Sequence, residues 1–150
     1  MRKLKYWTIR RHHRRGGITP PVLYIVRIDG GHIMAQEEYQ IPIFLINGQL
    51  DSGKTRFISD TIAMGQFAEA KNKLLIVCEE GEEEYSEKLL KDNGVDMVVL
   101  EKEELTEAKL NELDKEYDPW IVIVEYNGMW DPALLMGTAK PRGWEIYQSI

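Results

Sequence analysis

IPIFLINGQLDSGKT, residues 41–55, is the stretch whose reading decides the fold. Its first six residues, nearly all apolar, have the length and composition of a short buried strand. The next turn leads into GQLDSGKT, residues 48–55, which fits GxxxxGK[ST] without a mismatch. Glycines at 48 and 53 let the backbone curl and turn its N–H groups inward, with Asp51 and Ser52 inside the curl. A helix beginning near Gly53 aims its unpaired N–H groups and positive dipole end at the same point. Lys54 supplies a cation that reaches β- and γ-phosphates, and Thr55 a hydroxyl suited to Mg²⁺. A glycine-rich strand-to-helix turn without a ligand would leave Lys54 and Thr55 unexplained. The expectation is a phosphate-binding loop between a strand and a helix.

The 150 residues suffice for one domain with a sizeable core. No apolar run approaches the length of a membrane span, so no transmembrane helix is expected. Nor does an apolar core of about 7–15 residues follow the basic start, as a secretory signal requires. The single cysteine, Cys78, excludes an internal disulfide and a closed cysteine-rich zinc site within one chain. The natural reading is a cytoplasmic protein.

The net charge of -6 conceals an asymmetry. Residues 1–33 hold eight Lys/Arg and one acid, Asp29, and the remainder is strongly acidic. The run RRHHRRGG, residues 10–17, reads in three ways. It could contact nucleic acid or an acidic membrane surface, or be a solvated, disordered extension. The third reading takes Met34 as the natural start and residues 1–33 as a mis-assigned one, because Gly30-Gly31 is what an in-frame ribosome-binding site would encode. The third is preferred, and DNA is not an expected partner. Residues 22–28 could pair as a strand, with nothing else in the head to support it.

Beyond the loop, Phe57, Ile58, Ile62 and Phe67 recur at near-helical spacing, which predicts a helix over 54–70. KLLIVC, residues 73–78, is a second apolar strand. Residues 82–93 read as a helix with Tyr85 and Leu89 on one face, supported by Glu84/Lys88 and Glu87/Lys91 pairs and ended by Asn93-Gly94. DMVVL, residues 96–100, is a third strand. Thr106 caps a helix lined by Leu110, Leu113 and Tyr117, and Asp118-Pro119 breaks it. WIVIV, residues 120–124, is a fourth strand. Short apolar runs alternating with helices predict an α/β fold, a mostly parallel sheet with helices on both faces.

Open α/β sheets bind ligands beyond the carboxyl ends of their strands. Three stretches fall there: the loop, residues 78–84 and residues 125–132. Glu125 would hold Mg²⁺, usually through water, or polarise an attacking water; the alternative is a solvated acid at a strand end. Gly128 supplies an N–H where a γ-phosphate could be sensed. Asn127-Gly128 and Asp131-Pro132 read equally as turn formers. CEEGEEE, residues 78–84, packs five carboxylates and a thiol together. It reads as a metal-binding switch loop or as an acidic helix start that favours the dipole.

Taken in order, IPIFLINGQLDSGKT, CEEGEEEYSEKLL and IVIVEYNGMWDP resemble the CobW-type GTP-binding proteins, relatives of the HypB and UreG metallochaperones. The resemblance covers about residues 40–135. It implies a P-loop NTPase domain, Rossmann-like with three layers, over residues 34–150. It implies that Gly48, Asp51, Ser52, Gly53 and Lys54 bind phosphate; Arg56, which the family does not share, could reach the α-phosphate or merely be solvated. Thr55 and Glu125 would serve Mg²⁺, Lys54 and Glu125 the catalysis, and Gly128 the γ-phosphate side. Glu79, Gly81 and Glu82 match the family's acidic switch segment. The implied activity is slow GTP hydrolysis coupled to delivery of zinc or cobalt to a metalloprotein client, with dimerisation across the nucleotide.

Three departures bear on this. The family's Cys-x-Cys-Cys motif is absent, with EKEE at residues 101–104 in its place. That leaves Cys78, Glu79 and Glu82 as a weaker transition-metal set. The family's usual Thr is Arg56 here. The guanine-reading Asn-Lys-x-Asp motif is missing, and the expectation is a domain incomplete at its C-terminal end. Two other function classes stay open: a non-hydrolysing, nucleotide-dependent switch, and an ATP-dependent small-molecule kinase. The kinase needs an arginine-bearing lid, and Arg142 is the only arginine after Arg56.

Overall fold

The computed structural model describes residues 22–29, 32–49, 52–68, 70–78 and 84–150, with residues 22–39 as backbone alone. Asp51, Glu79, Gly81 and Glu82, and the basic run at 10–17, therefore lie outside the described residues.

β1 (Val22–Asp29) and β2 (His32–Tyr39) pair antiparallel as a separate two-stranded sheet. The run 22–28, read as able to pair, finds its partner in residues that straddle Met34. The register sets Asp29 against His32, so two residues, Gly30 and Gly31, separate the strands in sequence.

β3 (Ile41–Ile46), β4 (Lys73–Val77), β5 (Val95–Val99), β6 (Ile121–Glu125) and β7 (Trp144–Ser149) form one all-parallel sheet of order β5-β4-β6-β3-β7. All five residues of both β4 and β6 are buried, which is why these strands are continuous apolar runs rather than alternating ones. Four strands were expected, and the fifth, β7, adds to the free side of β3.

Among the described residues four α-helices cover the sheet: α1 (Lys54–Ala63), α2 (Glu87–Asp92), α3 (Glu107–Tyr117) and α4 (Pro132–Gly137). Alternation along the strands sorts them into two layers. Ile58 and Ile62 of α1 and Leu90 of α2 pack with Ile46, Leu75, Val77 and Ile123. Leu110 and Leu113 of α3 and Leu135 of α4 pack on the other face with Ile43, Leu74, Ile76, Val122 and Val124. Each such buried side chain contributes roughly 1.5–3 kcal/mol.

Two helices are shorter than their periodicity suggests. α1 stops at Ala63 because Gly65 takes φ +72, a left-handed conformation that ends the helical path. Phe67 still reaches the core and meets Phe44 with ring centroids 5.1 Å apart. α2 begins at Glu87 rather than at 82, because the Ser86 hydroxyl accepts the Leu89 N–H at 3.3 Å and fixes the start there. Lys88 pairs with Asp92 on this helix. α3 starts and stops where expected, with Thr106 accepting the Lys109 N–H at 3.3 Å and Asp118 at φ 43. β6 runs one residue later than expected, so Glu125 is its last residue.

Candidate functional site

The site lies at the carboxyl ends of the two strands at the centre of the sheet. β3 continues into α1 on one face, and its neighbour β6 continues into α4 on the other. Adjacent strands whose connections leave in opposite directions open a crevice between them, which is the usual ligand position in such sheets.

The 48–55 loop closes over its own lysine. Gly53 sits at φ +83, immediately before α1, where an L side chain would be strained. The Lys54 ammonium donates to the Gly48 carbonyl at 2.7 Å and to the Gln49 carbonyl at 2.8 Å. The side chain is folded back across the loop and buried. The Phe57 N–H donates to the Gly53 carbonyl at 2.9 Å, the first backbone bond of the helix. N–H groups earlier in a first turn have no partner within the helix and face the loop. Ser52 and Arg56 stand on the exposed side, and Arg56 lies 4.0 Å from Asp60 across one helical turn.

Glu125 is brought to this loop by β-sheet register. It lies level with Ile46 of β3 and Val77 of β4. Two residues beyond Ile123, it shares the face that α1 covers. The residue is 3% exposed, and its carboxylate accepts the Thr55 hydroxyl at 2.9 Å through Oε1. The second oxygen, Oε2, accepts the Tyr85 phenol. Both oxygens of a buried acid thus have donors, the condition for keeping it there. The Tyr85 phenol is pushed far above its ordinary range, first by burial and then by its bond to Glu125, and stays a protonated donor.

Gly128 closes the other side. A Cβ at this position would stand 2.0 Å from the Gly48 carbonyl oxygen and 2.6 Å from its carbon. Only glycine lets the segment after β6 touch the backbone of the loop. Asn127 shapes the approach by accepting the Met129 N–H at 2.9 Å. Asp131 accepts the Ala133 N–H at 2.9 Å, capping α4. The stretch thus forms turns and, at Gly128, also abuts the Gly48 backbone.

Cys78 is kept apart from the carboxylate. Its backbone N–H donates to the Glu125 carbonyl at 2.8 Å, yet its side chain enters the α3/α4 core. Burial, with the Glu125 charge, pushes the thiol up to about 12. Among the described residues no group of three His, Cys, Asp or Glu is placed to hold a metal ion. Glu79 and Glu82, expected to join Cys78, are not among those residues.

Tyr85 is the site residue that the sequence reading assigned elsewhere, to a helix face with Leu89. Ser86 is the signal that could have found it: a capping serine there starts the helix one residue later and frees the phenol to turn inward. No helix of the described residues is long and apolar enough to cross a membrane. No family model, curated protein or solved structure matches the chain.

Proposed function

We propose that the chain binds a nucleoside triphosphate with Mg²⁺ and hydrolyses it slowly, acting as a CobW-like GTPase. One observation carries the reading: the Thr55 hydroxyl and the Glu125 carboxylate, 70 positions apart, meet at 2.9 Å beside the buried Lys54. The donor set is hard oxygen, which suits Mg²⁺. Thr55 spends its one proton on Glu125, so its oxygen lone pairs stay available to a cation. Lys54 and the first-turn N–H groups of α1 provide positive charge for phosphate oxygens. When bound, Mg²⁺ would neutralise charge on those oxygens. Glu125 belongs to the metal side, since both its oxygens already accept hydrogen bonds. Gly128 holds the segment after β6 close enough to respond to a terminal phosphate. The choice of GTP, and any delivery of zinc or cobalt to a client, rest on motif order alone.

Titration with fluorescent mant-GTP and mant-ATP in Mg²⁺ tests the proposal. The wild type binds at least one of them, and GTP competes better than ATP. Lys54→Ala abolishes binding. Glu125→Gln retains binding and loses most turnover, about a hundredfold. No binding by the wild type at millimolar nucleotide, or tight binding by a folded Lys54→Ala variant, overturns the reading. Unchanged turnover in Glu125→Gln makes that residue structural.

A further inference from the structure

We propose that Tyr85 is a positioning residue: its phenol holds the Glu125 carboxylate in the orientation that keeps Thr55 ready to receive a divalent cation. The proposal rests on the nucleotide-binding reading above and deepens it.

A carboxylate at the end of a strand turns readily about its terminal torsion, which is broad and two-fold. Glu125 does not have that freedom here. Thr55 of α1 donates to one oxygen and Tyr85, just ahead of α2, donates to the other. The two donors come from different elements, so the carboxylate plane is fixed from both sides. The Tyr85 ring is itself anchored, packed against the α1/α2 core with Phe67 and Leu89 as companions in that layer. A phenylalanine would fill the same space. Only the hydroxyl distinguishes tyrosine; it donates to Glu125 and also meets the Thr55 side chain. Removing it leaves one carboxylate oxygen of a 3% exposed residue without this donor. The carboxylate then gains by turning to share the Thr55 hydroxyl or by drawing in water. Either change alters the direction in which the Thr55 lone pairs point. Lys54 and the loop backbone are outside this arrangement, so phosphate contact without metal is unaffected.

Tyr85→Phe separates these effects. Affinity for mant-GTP or mant-ATP, whichever the wild type binds, is measured in EDTA and across a Mg²⁺ series, alongside steady-state hydrolysis. In EDTA the variant stays within about twofold of the wild type. The Mg²⁺ concentration for half-maximal effect rises about tenfold, and kcat falls about tenfold with KM nearly unchanged. In a Glu125→Gln background Tyr85→Phe adds less than it does in the wild type, because the bond the hydroxyl donates goes to that carboxylate. An unaltered Mg²⁺ series and kcat, even with a lowered Tm, overturns the proposal and leaves Tyr85 as a packing residue. A full additional effect in the Glu125→Gln background overturns it too. A wild type that binds no nucleotide removes the parent reading first, an outcome distinct from both.

Discussion

At the scale of the residue, Gly128 shows how much one missing carbon can decide. The sequence allowed Asn127-Gly128 to be either a plain turn or a phosphate-side segment, and both use glycine. What the fold adds is a distance: a would-be Cβ stands 2.0 Å from the Gly48 carbonyl oxygen, so this turn also abuts the loop. The obstacle is backbone, which has no flexible end to move aside. Gly128→Ala is therefore expected to push the two loops apart and cost about 1–3 kcal/mol. Urea denaturation measures this, and nucleotide affinity should fall with it. A variant as stable as the wild type would show that the segment after β6 is free to shift. Lys54 and Thr55 were legible from spacing alone, because consecutive positions at a helix start leave little choice of direction. Tyr85 was not legible, since a tyrosine four residues from a leucine satisfies helical periodicity whether or not a helix is there.

At the scale of the element, the starts of α2, α3 and α4 are set by side-chain oxygens, whereas α1 starts after Gly53 without one. Ser86, Thr106 and Asp131 each accept an N–H of the helix that follows. Thr106 was readable because a clear apolar face follows it. Ser86 was not, because the glutamates at 82–84 already looked like a favourable first turn. An acidic run and a capping hydroxyl both suit a helix start, and only the capping geometry chooses between them. Thr106→Ala should lower stability by about 1 kcal/mol, seen as a reduced urea midpoint with an unchanged slope. No change would mean that α3 is held by Leu110 and Leu113 alone. Just ahead of α3, Lys102–Glu104 form a short 3-10 turn with its own capping box between Glu101 and Glu104.

At the scale of the whole molecule, β7 is the strand of the five-stranded sheet that the sequence reading left out. WEIYQS alternates in character and carries no long apolar run, so it lacks the pattern of the buried strands. It is placed instead by tertiary contacts. Its backbone pairs with β3, and the buried Trp144 indole donates to Asp114 of α3 at 2.8 Å. That bond ties the strand beside β3 to the helix layer that holds α3. Trp144→Phe should lose about 1–3 kcal/mol through the missing bond and the space left behind. Urea unfolding of the variant checks this, and an unchanged midpoint would show that β7 is held by its ladder alone.

Local order was in the sequence: the apolar runs, the glycine-rich turn, the helix after it and the carboxylate at the end of β6. These follow from interactions between residues near one another in the chain, which spacing records directly. Tertiary structure alone decided strand order, the fifth strand and the partners of Glu125. Those depend on register between strands far apart in sequence, where level pairing brings Ile46, Val77 and Glu125 into one row. A sequence can state that an acid ends a strand. Only packing determines that a threonine and a tyrosine meet it there.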